Sequence, residues 1–384
     1  MRDTRPTICV IATSNKAHHM RIYYRICQSL INKGFLVELI ALSDDKNEFI
    51  EGVNYYSVGN YRVSLGIHLL RRLQRVRLGF SIAADSKADM FCFTSPEFIS
   101  AAINLRLLTG KPVVFDCMED FESYAMQRPG IPRWVRPFLR LYTRYQLRRA
   151  GENLDAIITS DRGTEEFFRS GTARTLVVHN FPLLNLFSER VQADSQIYDL
   201  VIHGSIGRYY LEMIMDIDCV LVERGRLVKW YLFGHMPEKK WFLDQIVKRQ
   251  AKERFFLKEY IPHDQVAAEV QKARIGVIPL PDWPKYQSNI PQKLFEYMSL
   301  RIPVVTSDLP PSRPFVGVGD RRCAVLVKPD DPKGYADAII ELLDTPSLRH
   351  RMGEEGRRRV EDLYNWDKEF EKLLTLFGEL GVSS

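Results

Sequence analysis

The tightest constraint on the fold is a recurring pair: a short, nearly uninterrupted apolar run followed by an amphipathic helical segment. Thr7-Ile-Cys-Val-Ile-Ala12 and Phe35-Leu-Val-Glu-Leu-Ile-Ala-Leu42 read as strands of a parallel sheet, where both faces are buried and polar alternation is lost. Between them lie a polar loop, Thr13–His19, and a helix, Met20–Lys33, with Ile22, Ile26, Ser29 and Leu30 on one face. Gly34 is placed to cap that helix. This is a β–loop–α–β unit of Rossmann type. Its first loop lacks the glycine fingerprint of a dinucleotide site, so NAD binding is not supported.

The rhythm continues with strands expected at 53–58, 90–93, 112–116 and 155–160, and helices at Phe98–Leu108 and Gly163–Arg169. Leu176-Val-Val-His-Asn-Phe-Pro182 closes a first half, and the polar segment Leu183–Ile197 reads as a linker. The pattern then restarts. Strands are expected at 198–203, 228–234, 254–257, 275–280 and 323–327, and helices at 209–224, 265–272, 331–344, 347–363 and 366–380. A length of 384 residues with 45% hydrophobic content suits two α/β domains, each with its own core. We expect residues 1–190 to form the first, with 365–384 packed back on it, and 191–364 the second.

Cys9, Cys27, Cys92, Cys117, Cys219 and Cys323 are scattered without metal-type spacing, mostly in apolar segments. That pattern fits buried thiols in a reducing cytoplasm. The opening Met1-Arg-Asp-Thr-Arg-Pro-Thr lacks the apolar core of a signal peptide. No apolar segment is long enough to span a bilayer. The formal net charge of +6 is modest, so its placement matters more than its size.

Chemistry concentrates in Asn289–Asp308. Pro291 suits a helix start, and Leu294, Phe295 and Met298 recur at helical spacing. Lys293 and Glu296, three apart, share a side of that helix. Ile302-Pro-Val-Val-Thr is a short buried strand. A helix N-terminus presents free N–H groups and a positive dipole end to a phosphate. A lysine adds charge there, and a carboxylate can accept from two ribose hydroxyls. The physical reading is a nucleoside-diphosphate site. The plain alternative is a packed helix with a solvated Lys–Glu pair.

Pro291…Lys293-Leu-Phe-Glu296-Tyr-Met…Pro303-Val-Val resembles the donor-site segment of the retaining GT-B glycosyltransferases, the group 1 or family-4-like transferases. Arg21-Ile…Ser29-Leu…Gly34-Phe-Leu-Val resembles their opening, and the Asn180-Phe-Pro182 run resembles the close of their first domain. The similarity runs over nearly the whole chain. It implies two Rossmann-like domains facing across a cleft, with the C-terminal helix crossing back. Many members carry two glutamates separated by seven residues; Glu296 matches the second, and Ser288 stands at the first.

The resemblance implies roles residue by residue. Gly204 would let the backbone approach the diphosphate. Arg208 and Lys293 would pair with its oxygens. Glu296 would take the ribose hydroxyls, and the backbone at Tyr260 and Ile261 would meet the base. In the first half, many relatives read Tyr-Asp-Val-His-Glu-Asp-Tyr where this chain has Phe115-Asp-Cys-Met-Glu-Asp-Phe121. Met118 cannot relay a proton. Glu119 and Asp120 are therefore the candidates to orient the acceptor or take its proton, with Asp116 as a cap or brace of the turn and solvated loop acids as the plain alternative. No cofactor beyond the donor is expected, and no metal, because no Asp-X-Asp pair stands in a suitable setting.

Two basic amphipathic segments remain. One is 66–80. The other is 131–150, in which Arg133, Arg136, Arg140, Arg144, Arg148 and Arg149 alternate with Trp134, Phe138, Leu141, Tyr142 and Tyr145, without an acidic residue. Such a segment suits an anionic bilayer surface, or a helix packed on the sheet with solvated arginines. Nucleic acid is a third reading, without a recognition motif to support it. The whole points to a cytoplasmic glycosyltransferase, peripheral on the inner face of the cell membrane, acting on a lipid-linked or polysaccharide acceptor in surface-glycan synthesis. A nucleotide-sugar epimerase and a non-catalytic nucleotide-sugar-binding scaffold are the alternatives; Met118 and Ser288 favour the scaffold.

Overall fold

In the computed structural model the apolar runs are assembled into two parallel sheets. The structure describes residues 4–43, 50–60, 68–122, 126, 132–187 and 196–383. The linker boundary expected at 190/191, and the first residues of both basic segments, lie outside them. By internal contacts the chain divides into two units, Met1–Asn180 with Asp367–Ser384, and Phe181–Trp366.

The first unit begins with β1 (Thr7–Lys16) and then a π-helical stretch, Met20–Cys27, that tightens into α1 (Gln28–Asn32). A reading at period 3.6 expects one α-helix there and misses the wider turns. Next come β2 (Leu36–Ser43), β3 (Asn54–Asn60), α2 (His68–Asp85), β4 (Met90–Phe93), α3 (Ile99–Thr109) and β5 (Val113–Cys117). The unit continues through α4 (Arg136–Asn153), β6 (Ala156–Thr159), α5 (Arg162–Glu165) and β7 (Arg174–Val177). Sheet order is β3-β2-β1-β4-β5-β6-β7, every pairing parallel. Phe91, Phe93, Phe115 and Ile157 carry the core that α3 and α4 cover.

The second unit follows the same plan. It holds β8 (Tyr198–Ser205), α6 (Arg208–Glu223), β9 (Trp230–His235), α7 (Lys239–Lys248), β10 (Phe255–Lys258), α8 (Val266–Val270) and β11 (Ala273–Ile278). Then follow α9 (Gln292–Ser299), β12 (Val304–Ser307), β13 (Ala324–Val327), α10 (Pro332–Asp344) and α11 (Pro346–Asp362). The parallel order is β10-β9-β8-β11-β12-β13. Helix α7 was not among the expected elements. Its inward Phe242 and Ile246 are interleaved with exposed Leu243 and Val247, which blurs the helical period.

The last helix, α12 (Trp366–Glu379), returns to the first unit. The buried carboxylate of Glu369 accepts from the His179 backbone N–H at 2.8 Å, and Glu371 pairs with Lys33 at 2.9 Å. The expected class therefore holds, two Rossmann-type sheets with a returning C-terminal helix.

Each sheet reverses its winding once, between β1 and β4 in the first unit and between β8 and β11 in the second. Open α/β sheets bind ligands outside the carboxyl ends of the strands at such a switch point. In the second unit the two connections that leave the switch point lead into α6 and α9.

Candidate active site

The second switch point is built from glycines first. Gly204, near the end of β8, has φ +89°, and Gly234, its cross-strand neighbour on β9, has φ +122°. Side chains are strained at both angles. A Cβ on Gly234 would stand 2.3 Å from the Gly204 carbonyl oxygen, so these strand ends meet backbone to backbone.

Lys293 fills the space beside Gly204. A Cβ on Gly204 would come 3.1 Å from Lys293 Cε. The ammonium lies 4.9 Å from the centre of the Tyr210 ring, on α6. The side chain is half-buried, and among the described residues no carboxylate lies within ion-pair distance of it. Burial pulls its pKa down to about 8, against the pull of Glu296, which raises it. Pro291 was expected in the first helical turn; it occupies the N-cap position instead, with ψ 110°.

Glu296, one turn on, faces inward. Its Oε2 lies 2.6 Å from His203 Nε2, and the opposite ring nitrogen, Nδ1, lies 3.0 Å from the Tyr297 hydroxyl. His203 and Glu296 are both buried. The solvated Lys–Glu pair is thus not what forms: each side chain has its own buried surroundings. At the far end of α9, buried Arg357 donates to the Ser299 carbonyl at 2.8 Å and to the Phe187 carbonyl at 2.7 Å. A cation on these otherwise open carbonyls fixes the end of the helix.

Arg208 opens α6, half-exposed. Its Nε donates to Glu212 at 2.7 Å, and its guanidinium stacks over Trp241 of α7, 3.4 Å from the ring centre. Tyr260 and Ile261 follow β10, two strands away from β8; Tyr260 is exposed and Ile261 buried. Gly204, Lys293 and Glu296 are therefore brought together around β8, while Arg208 is held on Trp241 and the Tyr260–Ile261 pair lies further along the sheet edge. Sequence reasoning did not name His203, Tyr210, Gly234 or Trp241. A Gly at the end of two neighbouring strands was the available signal for Gly234.

In the first unit the loop after β5 carries the acidic candidates. Glu119 is exposed and Asp120 half-buried. Asp116 is fully buried and holds Arg21 through two oxygens, at 2.7 Å from Nη2 and 2.8 Å from Nε. Arg21 also donates to Val178 O at 3.0 Å and Asn180 Oδ1 at 2.7 Å. Asp116 anchors Arg21, and Arg21 ties β5 and the π-helical stretch to the close of the unit. Glu122, buried, accepts from Arg140 at 2.6 Å.

Comparison with known proteins fits this layout. Residues 221–359 match the family model described as glycosyl transferases group 1. A stretch of 174 residues is 24% identical to an alpha-D-kanosaminyltransferase of Streptomyces kanamyceticus, covering 45% of this chain and 42% of that protein. The chain thus spans less than half the length of this relative. Among solved structures, sucrose-phosphate synthase from Thermosynechococcus elongatus superposes with a TM-score of 0.76 at 18% identity, over 99% of this chain and 100% of that one. Anabaena HepE, solved in complex with UDP and glucose, gives 0.70 at 12% identity over 98% and 100%. These likenesses carry the GT-B fold. The match over 221–359 contains Lys293, Glu296 and Tyr297, and over those residues the chain is similar to the group 1 glycosyl transferases.

Proposed function

We propose that this protein transfers a sugar from a nucleoside-diphosphate sugar to a lipid-linked or polysaccharide acceptor in surface-glycan synthesis, with retention of anomeric configuration and without a metal. The observation that carries the reading is Lys293. It is a half-buried ammonium at a switch point, without a carboxylate partner among the described residues, and with its charged form disfavoured by burial. A diphosphate supplies the missing counter-charge. As the glycosidic bond to the donor breaks, negative charge grows on that diphosphate, and a cation already in place lowers the barrier.

In this reading residues 191–364 hold the donor. The Gly204 backbone lets a phosphate approach, Arg208 adds a second cation, Glu296 takes the ribose hydroxyls, and the Tyr260–Ile261 backbone meets the base. Residues 1–190 hold the acceptor, with Glu119 and Asp120 orienting it or taking its proton. Donor complexes of a neighbour with UDP support the choice of a uridine nucleotide as the first probe.

The same reading places the protein peripherally on the inner face of the cell membrane. No described helix is long and apolar enough to cross a bilayer. Helix α4 and the turn before it expose Trp134, Phe138, Leu141, Tyr142 and Tyr145. These fall on one side, opposite buried Thr143, Leu147 and Ala150, with arginines flanking them. An exposed aromatic stripe rimmed by cations fits the headgroup region of an anionic bilayer.

The test is turnover. Purified protein is incubated with UDP-, GDP- and ADP-sugars, with and without membrane lipid extract, and nucleotide release and sugar transfer are followed. Lipid-dependent release that survives EDTA supports the proposal. Epimerised donor without transfer, or binding without turnover under every acceptor, overturns it.

A further inference from the structure

His203 is the buried group that the family pattern leaves unexplained. It sits at the carboxyl end of β8, 93 residues from Glu296 in sequence. Sheet order makes β8 and β11 neighbours, and α9 follows β11, so the fold brings the pair together. The contact is close, with Nε2 2.6 Å from Glu296 Oε2. The ring is locked from its other side. Nδ1 lies 3.0 Å from the Tyr297 hydroxyl, which is also 3.3 Å from the Val201 carbonyl. Phe233 stacks on the imidazole at 5.3 Å. Tyr297 reaches this place only because residue 276 is glycine: a Cβ there would stand 2.4 Å from the tyrosine ring.

Three buried polar side chains in an aromatic pocket are costly unless each is satisfied. An apolar residue at 203 would fill the space with less penalty. The arrangement makes sense if it holds a carboxylate that has work to do. A proton on Nε2 donates to Glu296, and the Tyr297 hydroxyl fixes that orientation of the ring. With Oε2 held, the plane of the carboxylate is set, and so is the direction in which the group meets a ligand. We propose that His203 is a positioning residue: it presents the Glu296 carboxylate to the ribose hydroxyls of the donor nucleotide. The inference rests on the reading of Glu296 as the ribose ligand.

The experiment measures ribose discrimination. Titration calorimetry compares whichever of UDP, GDP and ADP binds tightest with its 2′,3′-dideoxy form. Wild type prefers the ribonucleotide by about tenfold or more, the scale of a hydrogen bond to a charged group. His203→Gln places an amide N–H near the Nε2 position and keeps most of that preference. His203→Asn is too short to reach Glu296, so its preference collapses towards unity while dideoxynucleotide affinity stays within about threefold. His203→Leu behaves like His203→Asn if it folds. Glu296→Ala, which removes the acceptor outright, separates the two claims. If it keeps the wild-type preference, Glu296 is not the ribose ligand and the inference falls with that reading. If Glu296→Ala loses the preference while His203→Asn keeps it, only the positioning role is overturned. Equal loss for both nucleotides, or equal loss of preference in the Gln and Asn variants, also overturns it.

Discussion

The Lys293 side chain lies in the space that Gly204 leaves empty, its Cε 3.1 Å from where a Cβ would stand. A backbone torsion on one strand thus determines where a cation from another element rests. Gly204→Ala meets two penalties, a φ of +89° and contact with the lysine stem. Strain of this kind costs about 1–2 kcal/mol, and displacement of the ammonium weakens nucleoside-diphosphate binding by about tenfold, the equivalent of about 1.4 kcal/mol. Gly207, three residues on, is the control. Its φ is −78° and nothing stands within 4 Å of a Cβ there, so Gly207→Ala meets neither penalty, costs at most about 1 kcal/mol as the N-cap of α6, and leaves affinity intact. Thermal unfolding and calorimetric titration of both variants check the contrast.

Lys293 also gives binding a pH signature. Its pKa falls from the ordinary 10.5 to about 8 because burial disfavours the ammonium. The sign follows from linkage. Between pH 8 and 10.5 the unfolded chain holds a proton that the folded chain has released, so this residue's contribution to stability rises with pH across that window. Below pH 8 the burial penalty is present in full. Diphosphate binding favours the ammonium and takes up a proton above pH 8. Affinity should be flat from pH 7 to 8, then fall by up to about tenfold per pH unit. Titration in buffers of different ionisation enthalpy reads the proton uptake directly. Lys293→Met should lose both the slope and the uptake.

What could be read from the sequence, and what could not, has a common cause. Strands such as Thr7–Ala12 and Ile275–Leu280 were legible because burial on both faces forces an apolar run. Lys293 and Glu296 were legible because one helix carries both. His203 was not, because its partner is joined to it by sheet order rather than by spacing. Arg208 was read as a phosphate ligand from its place at a helix start, which does not reveal that Trp241 and Glu212 hold its guanidinium. The π-helical start at Met20 escaped a period-3.6 reading, although the two arginines it buries, Arg21 and Arg25, are hard to place on an ordinary packed face.

Arg21 and Asp116 form a nearly solvent-free ion pair, 2% and 0% exposed. Removing one partner of such a pair strands the other charge, at about 3–5 kcal/mol. Arg21→Met should therefore destabilise the first unit by that order. Asp116→Asn should cost less, since the guanidinium keeps Val178 O and Asn180 Oδ1 and the amide oxygen still accepts. The double variant should cost less than the sum of the two. Urea unfolding, with probes in each unit, measures all three and shows whether the loss is confined to the first.

The exposed face of α4 separates two forces that membrane association would combine. Trp134→Ser with Phe138→Ser removes apolar area that is 75% and 70% exposed, so the fold loses little stability. Arg133→Gln with Arg144→Gln removes two exposed charges from the same segment. Near an anionic surface each is worth about 1 kcal/mol, so the pair should weaken binding to phosphatidylglycerol-containing vesicles by about 30-fold. That loss should shrink as salt is raised, because screening has already removed the same contribution from the wild type. The serine pair should weaken binding at every salt concentration. Neither pair should change nucleoside-diphosphate affinity, since both lie in the first unit. Vesicle co-sedimentation across a salt series decides the matter. Equal binding to neutral and anionic vesicles, or wild-type binding by both variants, would mean that this face does not meet the membrane.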